Sequence, residues 1–259
     1  DDIDKRVKAK TFKILKSKKI NVKKGLLKRD IDDFYKPYFF NRKKKIPYVT
    51  GKIAVSKNNL IYSKGTKRIT DIHSDKFTHY LRYKNDCIMI TSQTLNKDNP
   101  KLNCRLKGLN KFSPKRVILD RNLKMKTNSY IFKTANYKNT IIFYSNYNKS
   151  KISIFKKKGI HLIKSKLIQN KYFDFKKILK KLYILGCRNL LVEAGDELST
   201  NIMENNLFNQ FYLFKSNKNL SKLPPNKAFN SLRNLSQNYK NKIKIKTLLG
   251  KDTITLYKK

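Results

Sequence analysis

The chain has 259 residues, of which 62 are Lys or Arg and 17 are Asp or Glu, so its formal net charge is +45. Its 15 Phe and 15 Tyr can fill a sizeable core, which excludes an intrinsically disordered chain. No apolar run reaches the ~18 residues of a membrane span, and no secretory leader opens the chain. We therefore expect a cytoplasmic protein that makes no membrane contact.

The basic residues do not have the pattern of a specific nucleic-acid reader. Only ten of the 62 are Arg, the side chain best suited to bidentate recognition of phosphates and bases, and the lysines are scattered along the chain. The surface should still attract anions at long range, and phosphorylated metabolites qualify as readily as nucleic acid. We therefore predict no specific nucleic-acid partner.

The sequence shows no pattern typical of a metal site or a disulfide framework. The three cysteines lack Cys-x-x-Cys spacing, and His73, His79 and His161 show no paired ligand spacing. We expect surface or core roles for these side chains, with no bound metal and no zinc-dependent deaminase chemistry in this chain.

The first 45 residues differ in pattern from the rest. They predict two helices around a short strand, at Lys5 to Lys18, Ile20 to Val22 and Lys28 to Phe40. The segment is too short for a core of its own. We therefore divide the chain into 1–45 and a main domain over 46–259.

Strands alternate with helices in the main domain. Helices are predicted after an N-cap at Thr70, from Phe173 to about Leu185 and over 196–206, whereas 216–241 has the composition of a polar loop. Apolar runs predict strands at 47–56, 87–90, 116–120, 140–144, 160–163, 189–192, 209–215, 242–248 and 253–257. This order indicates an α/β fold with a mostly parallel sheet, flanking helices and C-terminal antiparallel strands.

Three segments follow strands at the edge where open α/β sheets bind ligands. Val192–Leu198 runs through Glu193 to a helix start at Gly195, whose free N–H groups suit a phosphate; the alternative is a plain strand-to-helix turn. Thr91–Arg105 is a polar loop after a buried strand, or else an ordinary Asx-Pro turn. Lys52 lies in an apolar strand, where it either serves chemistry or extends to solvent.

Seven segments together resemble the reductase domain of the bifunctional riboflavin-biosynthesis deaminase/reductase family. The resemblance is clear over about 46–125 and 188–215, and residues 1–45 resemble the last helix, strand and helix of the family's deaminase domain. This sequence departs from the family at the turn Ser56–Asn59 and at Arg68, where the family usually has Trp. The seven segments, in the family's order, are Pro47–Thr50, Lys52–Ser56, Arg68–Thr70, Leu81–Arg82, Thr94–Arg105, Val117–Asp120 and Val192–Gly195.

The resemblance implies a dihydrofolate-reductase-like fold and NADPH-dependent reduction of 5-amino-6-(5-phosphoribosylamino)uracil to its ribityl form. It implies a homodimer, and an upstream deaminase domain in the same chain. It assigns catalysis to Lys52 and Glu193. It assigns the substrate to Thr66, Arg82, Leu102, Arg105 and Glu193. It assigns the cofactor to Ala54, Arg68, Thr94, Asp98, Arg121, Gly195, Asp196, Glu197, Leu198, Ser199, Thr200 and Asn201.

Two other functions fit the same sequence. One keeps the fold and changes the substrate to a dihydrofolate or pterin, although Arg82 and Arg105 favour a phosphorylated substrate. The other is a non-catalytic basic module that binds nucleotides or nucleic acid. Binding that survives about 0.3 M salt would separate a reductase from this module, because phosphate-backbone binding weakens steeply with salt.

Overall fold

The computed structural model describes residues 3–4, 6, 10–66, 68–245 and 250–259. Within these ranges the helices are α1 (Lys10–Ser17), α2 (Lys28–Lys44), α3 (Ile72–Tyr83), α4 (Ser92–Asp98), α5 (Tyr130–Lys133), α6 (Lys149–Lys157), α7 (Phe175–Ile184), α8 (Asp196–Glu204) and α9 (Leu232–Asn238). The strands are β1 (Tyr48–Val55), β2 (Leu60–Ser63), β3 (Cys87–Thr91), β4 (Lys115–Leu119), β5 (Thr140–Tyr144), β6 (His161–Lys164), β7 (Leu167–Ile168), β8 (Tyr172–Phe173), β9 (Asn189–Val192), β10 (Gln210–Lys215), β11 (Asn226–Ala228), β12 (Asn241–Ile245) and β13 (Thr253–Lys258).

The described strands form one large sheet in the order β12-β13-β10-β1-β9-β3-β4-β5-β6. The pairs from β10 to β6 are parallel, and β13 and β12 add to β10 in antiparallel fashion. This arrangement confirms the predicted α/β class, including its C-terminal antiparallel strands. Two small ribbons, β2 with β11 and β7 with β8, lie outside the sheet.

Helices cover both faces of the sheet, so the central strands are buried on both sides. One core cluster joins Val49, Ile53 and Val55 of β1 to apolar side chains of α7, α8 and α9. The other joins the opposite faces of β3, β4 and β5 to side chains of α3, α4, α5 and α6. This double coverage explains why the strand sequences are continuous apolar runs.

A glycine is required in the middle of β1. A Cβ atom on Gly51 would lie 2.2 Å from Cδ2 of Phe211 and 2.8 Å from Cε1 of Phe208. Both rings are fully buried, so they have no room to move away. Gly51 therefore lets the aromatic core close over the strand that also carries Lys52.

Residues 1–45 contribute little to the core, as expected. No described residue of α1 is buried, and only Asn41 is buried in α2. The predicted strand at Ile20 to Val22 is wrong: this stretch has no strand partner, and Ile20 is exposed. The first helix begins at Lys10 among the described residues, and positions 5 and 7–9 of its predicted range lie outside them.

Several element predictions in the main domain were also wrong. The N-cap of α3 is Asp71, not Thr70, and its carboxylate accepts a hydrogen bond from Ser74 N at 2.8 Å. The polar stretch after β3 begins with a helix, α4, and the 216–241 stretch contains β11 and α9. Positions 246–248 of the strand predicted at 242–248 lie outside the described residues.

None of the helices in the described ranges combines the length and the apolar composition that a membrane span needs.

Candidate active site

Two adjoining cavities lie at the carboxyl edge of the sheet, beyond the ends of β1, β3 and β9. The larger, of about 510 Å³, is called the cleft, and the smaller, of about 340 Å³, is called the side cavity. They share four lining residues, Gln93, Thr94, Gly195 and Lys227. Molecules bound in the two spaces would therefore meet at this shared wall.

A buried ion pair forms one wall of the cleft. Arg82 of α3 donates from Nε to Glu193 Oε1 and from Nη2 to Glu193 Oε2, both at 2.8 Å. Its remaining nitrogen, Nη1, donates to the carbonyl oxygen of Asn103 at 3.3 Å. All three nitrogens of Arg82 therefore have partners, and the fork holds the Glu193 carboxylate in one orientation.

The pair is nearly closed to solvent, with side-chain exposures of 11% for Arg82 and 13% for Glu193. Burial alone would raise the pKa of Glu193, but the charge and hydrogen bonds of Arg82, helped by Lys52 and His79, leave that pKa below its usual value. Glu193 is therefore an ionised acceptor at neutral pH.

Lys52 projects from β1 into the cleft opposite this pair. Burial lowers the pKa of Lys52, and the nearby Glu193 carboxylate opposes part of that shift. Its Nζ lies 4.8 Å from the ring centroid of Phe214 and has no hydrogen bond or ion pair with another described residue. The ammonium group is thus held among apolar atoms and is available to a ligand.

Two more guanidinium groups lie near the buried pair. Arg68 lines the cleft and pairs with Asp75 at 3.0 Å. Arg105, a predicted substrate contact, is exposed and lines neither cavity; it donates from Nη1 to Asn103 Oδ1 at 3.1 Å. Burial, followed by the nearby charges of Arg82 and Arg68, lowers the pKa of Arg105. An anionic group beside these cations would offset their positive charge.

The other predicted substrate contacts shape the wall. Thr66 and Leu102 both line the cleft, and Leu102 is buried with a φ of 56°, a left-handed conformation that costs a non-glycine residue about 1–2 kcal/mol. The loop around Leu102 is held by His79, whose Nδ1 lies 3.1 Å from Asn103 O and 3.3 Å from Arg105 N. His79 therefore has a structural role that its sequence context did not indicate.

The side cavity is built around the start of α8. Gly195 is the N-cap and offers no side-chain cap, so the first N–H groups of this nine-residue helix have no capping acceptor. A Cβ on Gly195 would meet nothing within 4 Å, so the space in front of it is open. These features fit the pyrophosphate of a dinucleotide.

The residues at the start of α8 that are predicted to contact the cofactor fall into two groups. Gly195, Glu197, Leu198 and Asn201 line the side cavity. The remaining three bind the protein itself: Asp196 accepts two hydrogen bonds from Asn230, Ser199 Oγ donates to Ala194 O, and Thr200 Oγ1 bonds to Ser231 Oγ.

The remaining predicted cofactor residues also lie near these two spaces. Ala54, Arg68 and Asp98 line the cleft, and Thr94 lines both cavities. Arg121 lines the side cavity and donates from Nη1 to Lys171 O at 3.3 Å. It also borders a polar hollow with Ser145, Asn146 and Lys166.

The sequence assigns no role to several residues that line the site. Gln93 and Lys97 belong to the Thr91–Arg105 segment expected at the ligand-binding edge, whereas Tyr62, Lys171 and Lys227 belong to no segment that the sequence singles out. Lys227 reaches the shared wall because β11 pairs with β2, and Lys97 Nζ lies 3.0 Å from the ring centroid of Tyr62. For Lys227 no signal was present, because nothing distinguishes it from the other lysines.

The described residues include no cluster of three or more His, Cys, Asp or Glu side chains that could hold a metal ion.

The fold and site define an α/β protein with a charged cleft beside a cavity at the start of a helix. Residues 47–220 match the RibD C-terminal domain family, and the chain belongs to that family.

Individual relatives agree with this assignment. The chain is 27% identical over 244 residues to riboflavin biosynthesis protein RibD of Actinobacillus pleuropneumoniae, covering 92% of this chain and 64% of that protein. It is 26% identical over 179 residues to the 2,5-diamino-6-ribosylamino-4(3H)-pyrimidinone 5′-phosphate reductase of Aquifex aeolicus, covering 67% and 77%. The structure of Acinetobacter baumannii RibD superimposes with a TM-score of 0.75 at 19% identity, covering 97% of this chain and 69% of that one. The chain thus spans 54–64% of the length of two RibD relatives it matches.

Proposed function

We propose that this chain reduces 5-amino-6-(5-phosphoribosylamino)uracil to 5-amino-6-(5-phosphoribitylamino)uracil with NADPH, the activity that the resemblance implies. The observation that carries the proposal is the shared wall between the charged cleft and the helix-start cavity. A substrate in one space and a nucleotide in the other would place their reacting ends against each other. A pterin carries no phosphate, so it would leave the guanidinium groups of Arg68 and Arg105 without an anionic partner.

The protein's main task is to bind and orient the substrate. Glu193, ionised and fixed by Arg82, can accept hydrogen bonds from the donor edge of an aminouracil ring. Arg82 is buried and two of its nitrogens hold Glu193, so we assign it to positioning Glu193 and give the substrate phosphate to Arg105, with Arg68 near it. Arg68 and Arg105 are more exposed than Arg82, and each keeps N–H groups with no acceptor among the described residues.

We assign the proton of the reaction to Lys52. A reduced nicotinamide, when bound, would supply a hydride to C1′ of the opened ribosylamine imine, and a group of the protein would then supply one proton to the imine nitrogen. Lys52 Nζ faces the cleft and has no hydrogen bond or ion pair among the described residues, and burial lowers its pKa, which makes it a stronger acid. After transfer the amine regains a proton from solvent.

The nucleotide would be held by the α8 start and by the cations around the side cavity. Gly195 and the first-turn N–H groups suit the pyrophosphate, and Arg121 and Lys171 offset the carboxylate of Glu197 that lines the same space. Arg121 can fork onto a 2′-phosphate, which favours NADPH over NADH.

A direct assay tests the function. Purified protein is mixed with NADPH and the phosphoribosylaminouracil, the loss of NADPH absorbance is followed, and the product is identified by mass as the substrate plus two hydrogens. The diaminopyrimidinone phosphate reduced by the Aquifex relative is the parallel substrate. Turnover of either identifies the preferred ring; turnover of neither, or reduction of dihydrofolate instead, contradicts the proposal.

We also propose that residues 1–45 are the end of a deaminase domain and that the chain forms a homodimer. Alignment with the Actinobacillus RibD covers 92% of this chain, beyond the 47–220 family match, which supports a common origin for the N-terminal segment. Light scattering of the purified chain tests the dimer, and a monomeric mass at assay concentration would reject it.

A further inference from the structure

A third cavity, of about 780 Å³, lies at the amino edge of the sheet, at the opposite end of the strands from the candidate active site. It is enclosed by α2, by the C-terminal ends of α3 and α7, and by the first residues of β1, β9 and β10. Its volume is in the range of about 300–1,000 Å³ typical of small-molecule sites. None of the residues assigned to reduction lines it, so it is a separate space.

The lining of this amino-edge cavity is aromatic and basic. Six tyrosines, a phenylalanine, two arginines and a lysine contribute to it, and no Asp or Glu is among the described residues of the lining. The rings of Tyr35 and Tyr38 lie 6.2 Å apart and nearly perpendicular, so they form a corner of aromatic faces. Such faces bind planar rings by stacking, and the cations beside them bind anions.

The cations differ in how far they are already engaged. Arg42 pairs with Asp4 at 3.1 Å. Arg188 lies 4.0 Å from the ring centroid of Tyr183 and donates only from Nη1, to Tyr183 O at 2.6 Å and Cys187 O at 3.3 Å. Its Nε and Nη2 have no hydrogen-bond partner among the described residues, and Lys84 has no ion pair there. Two cationic side chains thus offer donors to an incoming anion.

Three carboxylates lie near the cavity, and each is already engaged. Asp86 Oδ2 accepts hydrogen bonds from the backbone N–H groups of Arg188 and Asn189, both at 2.8 Å. Asp4 pairs with Arg42, and Asp33 pairs with Lys258 at 3.0 Å. None of the three is part of the lining, so the charged side chains that face the cavity are cations.

One lining residue carries an unsatisfied acceptor behind the cavity wall. Asn41 is 4% exposed, and its Nδ2 donates to Pro37 O at 2.7 Å, but its buried Oδ1 has no donor among the described residues. A buried polar atom without a partner costs about 1–3 kcal/mol. Because Oδ1 is closed to the cavity, binding of a ligand must depend on the tyrosines and the cations instead.

We propose that the amino-edge cavity is a second binding site, for a planar heteroaromatic ring that carries a phosphate group. The tyrosines stack on the ring, the amide side chains of Asn85 and Gln210 bind its polar edge, and Arg188 with Lys84 binds the phosphate. This ligand class is distinct from an apolar molecule, which would leave the cations unpaired, and from a free phosphate, which would leave the rings uncovered.

Flavin mononucleotide serves as the probe, because stacking on tyrosine quenches its fluorescence, and riboflavin is the same ring without the phosphate. Titrations are made on protein saturated with NADP⁺, which keeps the probe out of the side cavity. We expect saturable quenching with one site per chain, and riboflavin binding about tenfold weaker because it lacks the charge-assisted contacts.

Two variants locate the site. Arg188→Gln should lower the affinity for flavin mononucleotide about tenfold and leave the affinity for riboflavin unchanged, whereas Tyr35→Ala should lower the affinity for both ligands. Both side chains are exposed, so the fold should survive. Arg233→Gln and Tyr147→Ala, which change exposed residues outside the lining, are the matched controls and should bind as the parent does.

Three results would overturn the proposal. The first is quenching that does not saturate. The second is equal affinity in the parent, Arg188→Gln and Tyr35→Ala. The third is loss of binding in Lys52→Met, which would place the probe in the cleft instead. None of these outcomes depends on reductase turnover, so failure of the proposed function would be seen separately.

Discussion

The two halves of the candidate active site are built by different means. In the cleft, buried side chains face each other: Arg82 and Glu193 are each less than 15% exposed and fix one another. In the side cavity, the helix start provides backbone N–H groups, and the cation Arg121 is exposed. A buried charge has no water to replace a lost partner, so removing that partner is costly. An exposed cation is screened by water, and neighbouring cations can replace it. Substitutions should therefore have large effects in the cleft and small effects in the side cavity.

The largest effect is expected at Lys52. Lys52→Met should lower kcat/KM by about 10²–10⁴-fold, the usual contribution of a positioned acid. In the parent protein kcat/KM should fall as pH rises through the lowered pKa of Lys52, at a pH below the ordinary lysine value of about 10.4. Lys52→Arg should lose that alkaline limb, because its guanidinium stays protonated. A pH profile identical in parent and Lys52→Arg would remove Lys52 as the acid.

The same lysine should weaken the fold. Its folded pKa lies below its unfolded value, so its charge opposes folding at neutral pH, and the opposition disappears as pH rises through the folded pKa. Lys52→Met should therefore raise the free energy of unfolding while activity is lost. Urea unfolding at neutral pH measures this, and a destabilised Lys52→Met would contradict it.

Breaking the buried ion pair between Arg82 and Glu193 should strongly lower the free energy of unfolding. Arg82→Ala leaves Glu193 charged and unpartnered, and the free energy of unfolding should fall by about 3–5 kcal/mol. Glu193 has a folded pKa below its unfolded value, so its stabilising contribution is present above about pH 4.3 and is lost as pH falls through the folded pKa. The double variant Arg82→Met with Glu193→Leu should recover most of the free energy of unfolding that Arg82→Ala loses. Urea denaturation of the double variant decides whether the charges of the pair or only its filled volume stabilise the fold.

A smaller effect is expected at Arg105, which is exposed and lies near the buried pair of the cleft. Arg105→Ala should lower kcat/KM by about 10- to 150-fold through one lost charge-assisted phosphate contact, with NADPH affinity unchanged. Unfolding should be unaffected, since the side chain is exposed. Steady-state kinetics with a separate NADPH titration tests this, and a loss confined to NADPH binding would move Arg105 to the nucleotide half.

The smallest effect belongs to the side cavity. Arg121→Ala should reduce the preference of kcat/KM for NADPH over NADH by about tenfold, because one of several cations near a 2′-phosphate is removed. Lys138→Ala, at an exposed lysine outside the described cavities, is a suitable control. An unchanged cofactor ratio would show that another group reads the phosphate.

The sequence was most informative where residue pattern and strand burial coincide. The apolar runs of β3, β5 and β9 predicted their strands within one residue, because strands covered on both faces have no polar positions to blur the pattern. Short ribbons were missed for the opposite reason. β2 and β11 have three or four residues each and are paired across a long separation, so neither shows a period of its own.

The site was predictable as a set of segments but not as a set of contacts. The resemblance placed Arg82 and Glu193 together as substrate residues, but it gave no sign that they bind each other, since 111 residues separate them along the chain. It placed Asp196, Ser199 and Thr200 with the cofactor, although their side chains bond to the protein. Whether a side chain at a helix start faces inward or outward depends on packing against α9 and the preceding loop, which no local pattern contains.

The position of β1 has a consequence for how the chain is made. Its two neighbours, β9 and β10, are among the later strands to be synthesised, and Val49 N donates to Asn209 Oδ1 across 160 residues. At about 5–20 residues per second, a ribosome takes roughly 8–32 s to cover that separation. For most of this interval neither neighbour of β1 has been made, so an apolar strand waits unpaired, a state that favours aggregation. The strand that carries Lys52 is paired on both sides only after β10 has been made, so a chain that stops before β9 and β10 has no complete site.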